Sequence, residues 1–153
     1  MPTISLIRDH LFEAIGKTYT DKEFDELCFE FGVEVDDIVT EVVDFTADGT
    51  SGEFIVYKID IPANRYDILC MEGFARAIRI FESREKTPIF KKIDAGVSAQ
   101  KMVCHASTAA IRPFVVCAVL RGVKFDARKY KSFIDLQDKL HQNICRRRTY
   151  VAI

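Results

Sequence analysis

The chain has 153 residues, a formal net charge of −1 and 48% hydrophobic residues, including twelve Phe, but only seven Gly and four Pro. That is enough apolar material for a packed core and too little Gly and Pro for a fibrous or disordered chain. No apolar run approaches bilayer-spanning length, the first residues lack a signal-peptide layout, and five scattered cysteines do not make a secreted disulfide framework. A soluble, cytoplasmic protein with reduced thiols is therefore expected, with Cys28, Cys70 and Cys117 in the core. The charge is unevenly spread: residues 1–92 carry 11 Lys+Arg against 19 Asp+Glu, a net of −8, and residues 93–153 carry 11 against 4, a net of +7. A phosphate-bearing partner would meet the rear half.

Along the chain, residues 3–7 alternate as a strand and run into a short helix that ends near Gly16. Thr20 and Glu23 form a Thr-x-x-Glu capping box, able to satisfy two exposed N–H groups at a helix start. Phe24, Leu27, Cys28 and Phe31 then fall on one helical stripe, closed by Gly32 as the C′ residue. "VEVDDIV" returns to strand alternation, and the polar residues 44–53 are expected as a surface loop. "EFIVYKIDIP" is the next strand, with Phe54, Val56, Lys58 and Asp60 on one face and Ile55, Tyr57, Ile59 and Ile61 on the other.

Pro62 stops that strand, Asn64 and Arg65 turn the corner, and Asp67 is expected to N-cap a helix over 68–83. Asn64, Arg65 and Asp67 belong to no helix stripe or strand face, so their assigned role is to lock the corner. The helix is expected to bury Ile68, Met71, Ala75, Ile78 and Phe81 or its neighbours. Gly73 inside it costs about 1 kcal/mol relative to Ala, which implies a close backbone approach.

Beyond residue 84 the chain becomes basic and irregular, as a linker would, up to residue 111. Residues 113–120 are expected as a buried strand, followed by a turn at Arg121-Gly122 and by a helix capped by Asp126. The stripe of that helix is Tyr130, Phe133, Ile134, Leu140 and Ile144, and its last turn holds Arg146, Arg147 and Arg148, favourable against the helix macrodipole. "TYVAI" opens another strand.

No Gly-x-x-x-x-Gly-Lys, Gly-x-Gly-x-x-Gly or Gly-x-Ser-x-Gly is present, so neither a phosphate-cradling loop nor a nucleophile elbow is indicated. His141 and Cys145 share a helical face, and Cys104-His105 are adjacent, but the spacing is poor for zinc and no third group orients a Cys–His nucleophile. No metal ligand and no catalytic residue is assigned; His141 and His10 are placed at the surface and Cys145 in the core. The twelve carboxylates between Asp21 and Glu53 are spread over helix, strand and loop, which suits solvated faces better than acid–base work. Arg146, Arg147 and Arg148, with Lys124, Arg128, Lys129, Lys131 and Lys139, are the one candidate RNA contact, with Tyr130 and Tyr150 the only stacking partners.

Three stretches resemble a known family. "TYTDKEFDELCFEFGVEVDDI", "YKIDIPANRYDILCMEGFARAI" with its Asn-Arg-x-Asp signature, and "RPFVVCAVLRGVKF" with "SFIDLQDKLHQNICRRRTYVAI" are similar, in order, to the N-terminal part of the phenylalanyl-tRNA synthetase β subunit of archaeal and eukaryotic cytoplasmic type. The resemblance implies an α+β fold: a structural domain at 1–92, a linker at 93–111, and the opening strand and helix of an editing-type α+β domain at 112–153. It implies a non-catalytic fragment that needs no cofactor itself. The parent enzyme would join phenylalanine to tRNA with ATP and Mg2+, as an α2β2 assembly with its α subunit. Family members typically continue after "VAI" into a Gly-(Thr/Ile)-His-Asp-Leu-Asp-like motif, so the editing pocket is expected to be incomplete. Two rivals stand beside this: a free-standing regulatory module binding RNA or a synthetase, and a deacylase of misacylated tRNA.

Overall fold

In the computed structural model, residues 2–45, 50–91, 96 and 99–153 are described. The chain divides into two compact units, Met1–Thr87 with Phe125–Ile153, and Pro88–Lys124. The first unit holds β1 (Thr3–Ile7), α1 (Arg8–Ile15), α2 (Asp21–Phe31), β2 (Glu34–Phe45), β3 (Thr50–Asp60), α3 (Met71–Phe81) and α4 (Ala127–Gln142). It is an α+β fold with one antiparallel sheet in the order β1-β3-β2.

Register follows from which side chains want burial. Ile4 lies opposite Ile59 and Leu6 opposite Tyr57, so that one sheet face carries Ile4, Leu6, Tyr57, Ile59 and Ile61 into the core. Against it pack Leu11, Phe12 and Ile15 of α1, Phe24 and Cys28 of α2, and Phe74, Ala75 and Ile78 of α3. The rings of Phe24 and Tyr57 stack at 4.9 Å, with Phe12 edge-on to Phe24 at 5.5 Å. The phenol of Tyr57 donates to the Asp21 carboxylate at 2.6 Å, tying the central strand to the start of α2. Burial, helped by that bond, pushes the Tyr57 phenol well above its ordinary range. Burial likewise pushes the Cys28 thiol up to about 12.

The capping box is present: Thr20 accepts from the Glu23 N–H, and the Glu23 carboxylate accepts from the Thr20 N–H at 2.7 Å. Gly32 ends α2 at φ 93°, a left-handed conformation in which glycine escapes the Cβ clash. The carbonyls at the end of α1 are met from a distance in sequence: Arg79 donates to Ala14 and Arg84 to Ile15. Two cations at a helix C-terminus also suit its dipole.

Several expectations change. β2 and β3 run further than expected, taking 44–45 and 50–53 out of the expected loop, while residues 46–49 lie outside the described residues. α3 begins at Met71 with Cys70 as its N-cap, and Asp67 sits instead in a 3-10 turn, Tyr66–Ile68. Phe74 is fully buried and Phe81 is 45% exposed, so the buried stripe ends sooner than expected. Residues 113–120 form no strand, and Phe114 (91%) and Val116 (98%) are exposed. A strand needs a hydrogen-bonding neighbour, and none flanks this segment among the described residues. Cys117 is exposed with it, and Cys70 is half-buried. Part of the expected linker, residues 92–95 and 97–98, lies outside the described residues.

α4 is capped as expected, the Asp126 carboxylate accepting from the Lys129 N–H at 2.8 Å. It turns Leu136 and Leu140 to the core and leaves Tyr130, Phe133 and Ile144 about half-exposed. The helix stops at Gln142, and residues 151–153 take no strand. Arg146, Arg147 and Arg148 therefore lie past the helix, in a turn with φ of 44°, 53° and 65°.

Candidate functional site

Two clusters gather the residues that the sequence singles out. The first is the corner between β3 and α3. The Ile61 N–H donates to the Pro2 carbonyl, and the Arg65 N–H to the Pro62 carbonyl, both at 2.9 Å, so Asn64 stands exposed at the tip of a closed turn. The Arg65 guanidinium grips the Asp67 carboxylate with two parallel bonds, Nε to Oδ1 at 2.9 Å and Nη2 to Oδ2 at 2.8 Å. This holds the Asp67 carboxyl below its ordinary range. The same guanidinium lies 5.3 Å from the Phe31 ring, and Phe31 meets Phe74 at 6.1 Å and Phe81 at 5.5 Å edge-on. Arg65 thus couples the corner to the end of α2 and the face of α3.

Asp67 contributes its backbone as well as its carboxylate. A Cβ placed on Gly73 would stand 2.1 Å from the Asp67 carbonyl oxygen. Gly73 is glycine because the 3-10 turn lies directly on the first turn of α3. Glu82, to which no sequence motif points, closes the far end of α3. Its carboxylate accepts from Lys17 at 3.1 Å, from Tyr19 at 2.9 Å, and from Arg84. Burial alone would raise the Glu82 carboxyl, but the bonds from Arg84, Lys17 and Tyr19 outweigh it and hold the carboxyl low.

The second cluster is the arginine turn. The Arg146 guanidinium lies 4.6 Å from the Tyr150 ring and donates to its hydroxyl at 3.2 Å. Arg148 reaches Asp138 at 3.9 Å. Arg147 is exposed to solvent. His141 is not at the surface: it is 5% exposed, because the turn folds back over it. The Ile153 N–H lies 2.9 Å from Nε2 and the Arg148 Nε–H 3.1 Å from Nδ1. A neutral imidazole accepts on one nitrogen only, and the shorter contact is to Ile153. Cys145 is buried as expected, and His10 is half-buried with its ring 5.7 Å from Phe54.

A groove of about 370 Å³ runs between the sheet and α4, bordered by Ser5, Ile7, Val56, Met71, Ser132 and Lys139. Two of its polar groups are engaged with neighbouring residues: Lys139 donates to the Thr3 carbonyl and Ser132 to Glu72, both at 2.6 Å. Among the described residues no three His, Cys, Asp or Glu side chains converge as a metal site, and no helix is long and apolar enough to cross a membrane. The arrangement is built to hold shape: paired charges, short tethers and a backbone-to-backbone contact.

Residues 1–84 match the family described as "Phe-tRNA synthetase beta subunit B1 domain". The phenylalanine–tRNA ligase beta subunit of Mus musculus is 52% identical over 159 residues, covering 100% of this chain and 27% of that protein. The cytoplasmic form from Arabidopsis thaliana is 53% identical over 164 residues, again with 100% and 27% coverage. The chain therefore spans about a quarter of the length of the curated relatives it matches. The crystal structure of an N-terminal fragment of the phenylalanyl-tRNA synthetase beta subunit from Pyrococcus horikoshii shares the fold, with a TM-score of 0.72 at 24% identity, covering 96% of this chain and 39% of that one. The family match over residues 1–84 and the identity to these β subunits agree, and the chain belongs to the family of the phenylalanyl-tRNA synthetase β-subunit B1 domain.

Proposed function

We propose that the chain is a structural, non-catalytic part of the β subunit of a cytoplasmic phenylalanine–tRNA ligase. The observation that carries this is identity of about one residue in two along the whole chain with phenylalanine–tRNA ligase beta subunits, one of them named cytoplasmic. In that setting the assembled α2β2 enzyme joins phenylalanine to tRNA with ATP and Mg2+. No step with either is assigned to this chain. Residues 1–92 act as the structural domain with Asn64, Arg65 and Asp67 at its corner, 93–111 connect, and 112–153 open an editing-type domain. The exposed segment 113–120 supports that division, since a β-branched run without a ladder is a strand sequence awaiting a neighbour. The test is to co-express with the α subunit a β subunit from which the segment matching this chain is deleted, to add the chain back as a separate polypeptide, and separately to assay phenylalanine charging by the chain alone. A stable assembly only when the chain is added back supports the reading; assembly indifferent to the chain, or charging by the chain alone, overturns it.

A second reading rests on the arginine turn. Three consecutive exposed arginines beside Tyr150 suit contact with an RNA backbone. Binding of tRNA that weakens with salt, and weakens further when Arg146, Arg147 and Arg148 are replaced by Gln, supports it. Binding unchanged by the triple replacement removes it.

A further inference from the structure

The outer face of α2 is acidic around one exposed aromatic ring. Phe29 is 83% exposed on a helix whose other aromatic residues, Phe24 and Phe31, pack in or against the core. Around it stand Asp25, Glu26, Glu30, Glu34 and Asp60, bordering a shallow hollow of about 820 Å³ with no Lys or Arg in its lining among the described residues. Among the described residues, Glu26 alone of these five meets a cation, Lys22 at 3.7 Å. Such a face repels phosphate and acidic lipid. It suits a guanidinium, whose plane can lie on the ring while its N–H groups reach the flanking carboxylates.

The chain carries a matching surface. The arginine turn projects three successive left-handed residues, with Arg147 in solvent and Tyr150 and Ile144 exposed at 63% and 46%. The opposed charges of the two halves, −8 for residues 1–92 and +7 for 93–153, favour this pairing at long range. We propose that the Phe29 face of one copy receives the Arg146–Arg148 turn of a second copy, with Arg147 over the Phe29 ring. This goes beyond the synthetase reading and competes with the RNA reading for the same arginines.

Sedimentation velocity on the purified chain tests it. At low salt the sedimentation coefficient rises with protein concentration, and at ~0.5 M salt it returns to the monomer value, since exposed charge pairs are screened. Phe29→Ala, Glu30→Lys and Arg147→Glu each weaken association at least tenfold. All three sites are exposed, and unchanged circular dichroism confirms that each variant folds. Mixing the Glu30→Lys and Arg147→Glu proteins restores association, because the introduced lysine of one copy then meets the introduced glutamate of the other. Phe29→Ala leaves tRNA binding untouched, which separates this contact from the RNA reading. A monomer at every concentration in low salt overturns the proposal, as does association indifferent to Phe29→Ala and Arg147→Glu.

Discussion

Replacing Gly73 with Ala sets two effects of opposite sign against each other. In a helix interior Ala is favoured over Gly by about 1 kcal/mol, so propensity alone predicts stabilisation. The structure predicts the reverse. The new methyl would lie 2.1 Å from the Asp67 carbonyl oxygen, 3.2 Å from its carbon and 3.4 Å from the Cys70 sulfur. Relief requires movement by backbone, not by a flexible side-chain end. The 3-10 turn is poorly free to move: Arg65 grips Asp67, and the adjoining Ile68 and Leu69 are 0% and 2% exposed. Overpacking at such a site costs typically ~1–3 kcal/mol, occasionally more. A 2.1 Å clash with backbone falls at the upper end of that range, about 2–3 kcal/mol; with the propensity gain of about 1 kcal/mol subtracted, Gly73→Ala should destabilise by about 1–2 kcal/mol, which lowers Tm by roughly 2–8 °C for a chain of this size. Thermal melts by circular dichroism read it, with Arg76→Ala on the exposed side of α3 as the control that stays within ~0.5 kcal/mol. A Tm at or above that of the parent chain would refute the close contact.

Tyr57→Phe keeps the stacked ring but removes the bond to Asp21, and should cost about 1 kcal/mol in chemical denaturation; no change would mean that water replaces the tether. Glu82 titrates lower in the folded chain than when unfolded, so it stabilises above its unfolded value of about 4.3, and that contribution is lost as pH falls through the folded value. Tm against pH should therefore drop on the acid side, and Glu82→Gln should flatten that limb; an identical acid limb in the variant would count against the Glu82 hub. Asp67→Ala and Arg65→Ala should each cost no more than ~1 kcal/mol, because the pair is partly exposed, and the double variant should cost less than their sum. Strict additivity would mean that the two side chains do not work together.

The legible parts of this fold are those in which local chemistry and burial point the same way. The capping box at Thr20 and Glu23, the left-handed Gly32 and the inward face of Tyr57, Ile59 and Ile61 each follow from spacing alone. Gly73 is legible as an anomaly, and the structure supplies its partner. Asp67 misleads because a carboxylate before an apolar run looks like a cap; here a nearer cation, Arg65, takes the carboxylate and Cys70 starts the helix. The hub at Glu82 is invisible in the sequence because Lys17 and Tyr19 lie more than sixty residues away. On α4, apolar spacing cannot tell which face the core will take, and it takes Leu136 and Leu140. Burial of His141 is hidden for the same reason: the turn that covers it doubles back through Arg148 and Ile153. Of the candidate contacts, the arginine cluster is visible as charge, but its left-handed turn is not, since non-glycine residues seldom adopt that conformation in succession.

The central claim, that this chain works as part of a phenylalanine–tRNA ligase, is met most directly by immunodepletion. An antibody to residues 61–78, under conditions that expose this epitope without dissociating complexes, would be used to clear native extract of the source cells. The account predicts that phenylalanine charging of tRNA falls with the antigen and is recovered with the captured material, while charging by other amino acids stays. Phenylalanine charging that persists at full rate in an extract emptied of the antigen would contradict it.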